Sequence, residues 1–435
     1  MEKLEPSRFN VFVPIDDGST FLLNSWSRRA IIIEATAASA LQNGECVPEK
    51  IIPALVEIGA LTEEPDGQQN DVFNAFDDEK FSRDELTVVI PLTNKCNLMC
   101  GYCYQIQHGD FQGDEPKQIQ GWDTDKILAV KQFIFNKMSD EKYSSVRVRW
   151  YGGEPLLRQD LIQRLGAEIR EAVETNGKRL CGTVITNGVL ITPKTVELLS
   201  SVGVDRLEIS IDGPQEVHDA HRSSRNGKST YERVIRNLLF AADRFSTIVF
   251  RVNIHADTVK LVPSWLKKIS ETIARENIYL KFKLVEGLKD NTLSWPDFCE
   301  ISSDFTGLAR LLGLNVIQTK LTTELCPAIR EDYHIVQSDL KVYKCPQNLG
   351  SEMHVGTITE HGMLSETRFS APWREYSVRK DAACASCNHL PHCNGGCPYN
   401  AIMSTIESND LDVYSRKEGC CVEKFAPQRI LARSV

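Results

Sequence analysis

No window of this 435-residue chain approaches the roughly 18 consecutive apolar residues that a membrane-spanning helix needs, so no membrane partner is expected. The N-terminal stretch MEKLEPSRFNVFVPIDDGS lacks the basic start, apolar middle and small-residue cleavage site of an export signal, which makes the cytoplasm the expected location. Positive charge is in short supply. Fifty Lys and Arg against 59 Asp and Glu leave a net charge of -9, which gives no overall field for a phosphate backbone, and nucleic acid is not an expected partner. Neither an internal repeat nor a low-complexity tract is present. What remains is an ordinary globular composition, 42% hydrophobic and 25% charged, in a chain long enough for two or three domains.

Cysteine, in contrast, is plentiful. Fourteen are present, and a reducing cytoplasm keeps thiols free, so metal or redox chemistry explains them better than disulfides do. Three fall within residues 96–103 and eight between 326 and 421, while Cys46, Cys181 and Cys299 stand alone.

The apolar pattern divides the chain. FNVFVPI, STFLLN, RAIIIEA and EKIIPALVEIGAL in residues 1–65 predict a short hairpin followed by helices, a small separate unit. The polar, acidic stretch EPDGQQNDVFNAFDDEKFSRD predicts a linker over residues 66–85. In residues 86–312 six strand-length runs, LTVVIPL, VRVRW, LCGTVIT, DRLEIS, TIVFRVNI and IYLKFKLV, alternate with helical patterns. In one of these, Leu161, Leu165, Ile169 and Val173 recur every four residues and Gly177 ends the run. Six strands each followed by a helix predict an α/β fold, a parallel sheet with right-handed crossovers curled into a partial (β/α)6 TIM-like barrel with its chemistry in the loops after the strands. Residues 313–435 are irregular and cysteine-rich, as expected where metal staples replace an apolar core.

Cys96, Cys100 and Cys103 directly follow the first of these strands, so three thiolates leave one loop at the barrel mouth. Three thiolates on a four-iron cubane leave one iron open to chelate a small molecule. The alternative is a zinc knuckle, which needs a fourth ligand such as His108. The C-x3-C-x2-C spacing with an aromatic residue before the last cysteine resembles the signature of radical S-adenosylmethionine (SAM) enzymes. The resemblance implies a [4Fe-4S] cluster on Cys96, Cys100 and Cys103 whose unique iron binds SAM, with Tyr102 near the adenine. Gly152-Gly153-Glu154-Pro155 after the second strand resembles the family's site for the SAM amino group, with Glu154 as acceptor. Thr186-Asn187-Gly188 and Ser210-Ile211-Asp212-Gly213 resemble the next family loops, and place Ser210 and Asp212 toward ribose or substrate. Arg222 is a candidate fork for the SAM carboxylate.

Cys384, Cys387, Cys393 and Cys397 form a C-x2-C-x5-C-x3-C group, dense enough for metal ligation, although thiolates alone do not choose between zinc and Fe–S. With Cys326 and Cys345 before it and Cys420 and Cys421 after it, the group resembles the SPASM domain of peptide-modifying radical SAM enzymes. The resemblance implies two auxiliary Fe–S clusters. Cys326, Cys345 and Cys397 would hold the inner one; Cys384, Cys387, Cys393 and either Cys420 or Cys421 the outer one, with the inner cluster's fourth ligand open. Two positions depart from the pattern: Leu340 stands where a glycine is common, and Pro346 follows Cys345 where sulfatase-maturing relatives carry an aspartate base.

The N-terminal unit looks like the winged-helix-like recognition element of enzymes that mature ribosomally made peptides (RiPPs). An edge strand there would take up the leader of a precursor peptide. The expected enzyme is therefore a radical SAM oxidoreductase or peptide maturase. It takes a hydrogen from a precursor peptide with a 5′-deoxyadenosyl radical and forms a C–C or thioether cross-link, with flavodoxin or ferredoxin as electron donor. The alternatives are sulfatase-maturase-like oxidation of Cys or Ser in a protein, and a non-enzymatic zinc-stapled binding module.

Overall fold

The computed structural model describes residues 4–15, 18–81, 84–103, 111–112, 115–116, 121–285, 293–317 and 325–408. They fall into two compact units, one drawn from 1–82, 319–331 and 371 onward, the other from 83–318 and 332–370.

In the first unit, β1 (Asn10–Pro14), β2 (Ser19–Asn24) and β3 (Arg29–Glu34) form an antiparallel sheet in that order. The expected hairpin thus gains a third strand, because RAIIIEA pairs with β2 along its whole length. Two helices follow, α1 (Ala35–Asn43) and α2 (Ile52–Glu57). Leu22, Ile33, Leu41, Leu55 and Ile58 close the core between sheet and helices. Each such aliphatic side chain stabilises the unit by about 1.5–3 kcal/mol through burial.

The expected linker is a helix, α3 (Pro65–Phe81). Its polar composition hides one apolar face, Val72, Phe73 and Phe76, which is buried together with Lys80. The Lys80 ammonium donates to the backbone carbonyls of Arg374 (2.6 Å) and Tyr376 (2.7 Å). Burial lowers its pKa to about 8. Arg379 reaches the same helix, donating to Asn74 and Asp77. Asn388 in turn donates to the carbonyl of Asn10 on β1 (3.0 Å), so the segment after residue 371 packs with the N-terminal sheet in one unit.

The second unit is built on one sheet. Its elements in chain order are β4 (Glu85–Pro91), α4 (Thr124–Met138), β5 (Ser145–Tyr151), α5 (Gln159–Thr175), β6 (Arg179–Thr186), α6 (Pro193–Ser201), β7 (Val204–Ile211), α7 (Gln215–His221), α8 (Tyr231–Ala242), β8 (Thr247–Ile254), α9 (Val262–Ile273), β9 (Ile278–Leu284), α10 (Trp295–Leu311) and β10 (Asn315–Val316). The six expected strands are β4 to β9, all parallel and in sequential order. In β4, β6 and β7 the apolar runs are near-continuous, as in parallel sheets buried on both faces, whereas β5 and β9 alternate with Arg and Lys. Each helix buries one stripe; α5 does so with Leu161, Leu165, Ile169 and Val173.

The irregular tail contributes more to this sheet than its sequence pattern suggests. β11 (Tyr333–Val336) pairs parallel with β4, and β12 (Lys341–Tyr343), β13 (Gly356–Ile358) and β14 (Leu364–Glu366) extend the sheet antiparallel. The sheet is open, with β10 and β14 as its edges. These late strands are only three or four residues long, too short to show a period. Leu340, in the turn between β11 and β12, has φ +63°. The left-handed backbone that favours glycine is kept here by leucine, at a cost of roughly 1–2 kcal/mol. No described helix is long and apolar enough to cross a membrane.

His218 and His334 are two of the buried histidines of this unit. His334 on β11 lies edge-on to Phe133, and burial pushes its pKa well below 6.5. His218 on α7 accepts from the Asp212 amide (3.4 Å) at Nδ1 and meets Thr230 Oγ1 (3.0 Å) at Nε2. Burial, helped by Arg222, lowers its pKa to about 4. Both are neutral in the folded protein, so their contribution is intact above the unfolded value near 6.5 and is lost as pH falls below it. The slope is about 1.4 kcal/mol per pH unit per histidine, so His218 alone costs about 3 kcal/mol by pH 4. Urea midpoints are expected to fall between pH 7.5 and 5.5, and His334→Leu to flatten that fall. An unchanged slope in the variant would show that His334 takes up its proton as readily in the folded protein as in the unfolded chain.

Candidate active site

The loops after β4, β5, β6, β7 and β9 meet over a cavity of about 380 Å³. Its lining includes Cys96, Cys100 and Cys103 from the first loop, Gly152 and Gly153 from the second, Thr186 and Asn187 from the end of β6, and Ser210 from β7. Arg222, one residue past α7, completes that wall, and Arg251, Asn253 and Lys283 enter from β8 and β9.

The cysteine loop is held from two sides. Met99 N donates to Ser223 O (3.1 Å) and Arg225 Nε to Cys96 O (3.1 Å). On the other side Gly153 N donates to Thr93 O (2.7 Å) and Glu154 N to Lys95 O (2.9 Å). Here lies the physical need for the two glycines. Gly152 has φ +130°, and a Cβ on it would stand 2.4 Å from Thr93 O; one on Gly153 would stand 2.4 Å from Lys95 O. The close approach they permit is that of the cysteine loop's own backbone.

Tyr102 anchors the centre. Its hydroxyl donates to the Asp212 carboxylate (2.6 and 2.7 Å) and accepts from Arg222 Nη1 (2.9 Å) and Asn253 Nδ2 (3.1 Å). Asn253 also donates to Asp212 (2.9 Å). Asp212 is wholly enclosed and Arg222 is 6% exposed. Burial works against the charge on Arg222, but Tyr102, Cys100 and Asp212 together keep its pKa well above the usual arginine range.

Two expected roles change in the structure. Glu154, read as an acceptor for an ammonium, is fully buried and does not line the cavity. Its carboxylate accepts from Leu156 N (3.0 Å), Thr186 Oγ1 (2.8 Å) and Asn187 N (2.8 Å), and so pins the loop after β6. Asp212, read as reaching toward ribose or substrate, is turned into the Tyr102 network. Of the other expected residues, Tyr102, Gly152, Gly153, Ser210 and Arg222 all line the cavity. The sequence reading passed over Asn253, Arg251 and Lys283. Their signal was polarity at alternate positions in otherwise apolar strands, which puts Arg251 and Asn253 on one face of β8. Arg251 donates to Glu208 (3.2 Å); burial opposes the charge on Glu208, yet Lys281, Arg251 and Arg149 hold its carboxyl below the usual range.

The donor set tests which group fits. Eleven cysteines, the three of this loop among them, are free thiols. Burial raises the pKa of Cys100 to about 12 and also raises that of Cys96, and each lies close enough to Cys103 and Arg222 to feel their charge. Zinc with bonds near 2.3 Å places its sulfurs about 3.8 Å apart. Among the described residues, His221, His255 and Asp257 are the only three of their kind whose ligand atoms all lie within 4.8 Å of one another. At least one pair of the three thiols is therefore more than 4.8 Å apart, wider than the sulfur spacing around a single zinc ion and compatible with a multi-iron cluster. His108, the alternative fourth zinc ligand, lies outside the described residues.

In the first unit Cys384 and Cys387 bracket a turn closed by Cys387 N to Cys384 O (3.1 Å), and Cys393 N donates to His389 O (2.9 Å). Crowding by the surrounding chain, and after it the charge of Cys397, raises the pKa of the Cys326 thiol, although part of Cys326 is open to solvent. Cys345, in the second unit, is buried directly before Pro346 and Gln347, which line the cavity. Cys420 and Cys421 lie outside the described residues.

Comparison with known proteins gives this arrangement its context. Residues 90–264 match the Radical SAM superfamily. A serine-type anaerobic sulfatase-maturating enzyme of Bacteroides thetaiotaomicron is 24% identical over 368 residues, covering 75% of this chain and 86% of that enzyme. The solved structure of native anSMEcpe with bound AdoMet and Kp18Cys peptide superposes with a TM-score of 0.61 at 18% identity, over 80% of this chain and 97% of that one. Streptococcus suis SuiB bound to precursor peptide SuiA superposes with a TM-score of 0.51 at 16% identity, over 95% of this chain and 98% of SuiB. Residues 90–264 thus form a radical SAM domain, a class that works with a [4Fe-4S] cluster and SAM, and the open sheet is the α/β fold that the anSMEcpe and SuiB structures share.

Proposed function

We propose that the protein is a peptide maturase that binds its [4Fe-4S] cluster through Cys96, Cys100 and Cys103 and removes hydrogen from a ribosomally made precursor peptide. When bound, the cluster and SAM supply a 5′-deoxyadenosyl radical that takes a hydrogen atom, and an auxiliary cluster supplies an acceptor for the surplus electron. The chain's own part is positioning. Tyr102, Asp212, Arg222 and Asn253 fix the cysteine loop, Glu154 fixes Thr186 and Asn187, and Asn187 Nδ2 lies 3.7 Å from Cys96 Sγ. Arg222, whose Nε has no hydrogen-bond partner, remains the candidate fork for the SAM carboxylate. Arg251 and Lys283 give the β8 and β9 side of the cavity positive charge for an anionic group of cofactor or substrate.

The observation that carries the choice of reaction is the cavity lining. Among the described residues it contains no aspartate, glutamate or histidine, and Pro346 stands where a carboxylate base would follow Cys345. Oxidation of a serine or cysteine side chain needs such a base at the reacting hydroxyl or thiol. Formation of a C–C cross-link starts with no hydroxyl or thiol to deprotonate and places its main demand on orientation instead. The SuiB match over 95% of this chain, against 80% for anSMEcpe, supports the peptide reading, since it extends further over the chain.

The same proposal divides the chain into a peptide-recognition region up to residue 65, a barrel over 86–312 and a SPASM-like tail from 313. In the recognition region the outer edge of β3 pairs with no strand among the described residues, and Ile32 on it is 64% exposed. A leader peptide adding there would make main-chain hydrogen bonds. In the tail, Cys326, Cys345 and Cys397 would serve the inner auxiliary cluster, and Cys384, Cys387, Cys393 and Cys420 or Cys421 the outer one. Flavodoxin or ferredoxin would deliver the electron.

The test is anaerobic incubation of the cluster-reconstituted protein with SAM, dithionite and the small peptide encoded beside its gene, followed by mass spectrometry. A peptide lighter by about two mass units, together with 5′-deoxyadenosine, is the expected result, since cross-linking removes two hydrogens. 5′-Deoxyadenosine with an unaltered peptide would refute the peptide substrate while leaving SAM cleavage intact.

A further inference from the structure

We propose that His221, His255 and Asp257 form a binding site for a first-row divalent cation, for which zinc is the probe, separate from the cysteine-held groups. The three ligand atoms all lie within 4.8 Å of one another. Asp257 Oδ2 is 3.5 Å from His221 Nε2 and 3.7 Å from His255 Nδ1. A tetrahedral ion with bonds of about 2.0 Å spaces its ligands about 3.3 Å apart, so small side-chain shifts close the site.

The decisive feature is His255. Its side chain is fully buried, and neither ring nitrogen has a hydrogen-bond partner. A buried imidazole with both nitrogens unsatisfied is unfavourable unless something at the site completes it. The rings of His221 and His255 stand 4.4 Å apart, edge to face, and Asp257 opens the third side to solvent at 53% side-chain exposure. Two imidazoles and one carboxylate suit zinc and its neighbours, with water filling the open position.

Its place in the fold gives the site a task. His221 ends α7 and is followed by Arg222, which donates to Tyr102; His255 follows β8, two residues beyond Asn253, which donates to Tyr102 and Asp212. An ion joining His221 to His255 ties together the two segments that hold Tyr102 in the cysteine loop. These three are positioning residues; they do not line the cavity.

The experiment uses the full-length, cluster-reconstituted protein, treated anaerobically with EDTA, desalted, exposed to excess zinc and desalted again. Zinc, iron and sulfide are then measured in the wild type, Asp257→Asn and His221→Gln. Asp257 is half-exposed, so its variant keeps the fold, and equal iron and sulfide verify that the cysteine sites are intact. The wild type is expected to retain about one more zinc per chain than either variant, with binding weakened at least tenfold by loss of one ligand. Equal zinc in all three proteins would overturn the proposal.

Discussion

Cys100→Ala is expected to abolish 5′-deoxyadenosine formation, down to the level of a control without protein, and to lower the iron content by about four per chain, one cubane's worth. Cys96→Ala and Cys103→Ala should do the same. Three thiols line the cavity, and no histidine or carboxylate among the described lining residues stands ready to replace a lost ligand. Cys100 sits between Cys96 and Cys103 in an enclosed setting, so removing it leaves two thiolates for a cluster that needs three. The iron bound by the tail cysteines should remain, which separates this result from general unfolding. Retained deoxyadenosine with full iron content would show that another group completes the set and that the three-cysteine assignment is wrong.

The strength of that expectation rests on features the sequence displays openly. The three cysteines are adjacent in the chain, so their convergence needs only one loop. The six strands β4 to β9 carry apolar residues on at least one face throughout and are long enough to read without tertiary context. Where spacing alone was ambiguous, the structure assigned different work. Glu154 and Asp212 look like ligand groups because they are acidic residues in loops after strands, yet both are enclosed and bind backbone amides or Tyr102. Burial of a carboxylate cannot be read from four consecutive residues. α3 was hidden for the opposite reason: its apolar face is only three residues wide, so the composition around it reads as a turn-rich linker. β11 to β14 were hidden because each is too short to carry a period, and their order depends on the edge that β4 offers. Asn253 and Arg251 were legible in principle, as polar residues two apart in an apolar strand.

Arg222→Met is expected to destabilise the second unit by about 3–5 kcal/mol, because it leaves the enclosed carboxylate of Asp212 without its compensating charge. In a unit of this size that corresponds to a fall in the melting midpoint on the order of 10 °C. The guanidinium is 3.8 Å from Asp212 and reaches it chiefly through the shared Tyr102 hydroxyl, so the three groups act as one network. Asp212→Asn combined with Arg222→Met should therefore be more stable than Arg222→Met alone, since it removes the stranded charge and keeps an amide for Tyr102 and Asn253. Calorimetry of the four proteins in this cycle measures the coupling, and strict additivity would show that the pair is independent. Arg222→Lys separates structure from ligand binding. It restores the charge beside Asp212 but not the planar fork, so it should recover most of the melting midpoint while still weakening SAM binding in equilibrium dialysis. Full recovery of both would mean that Arg222 serves Tyr102 alone and that the carboxylate of SAM is held elsewhere.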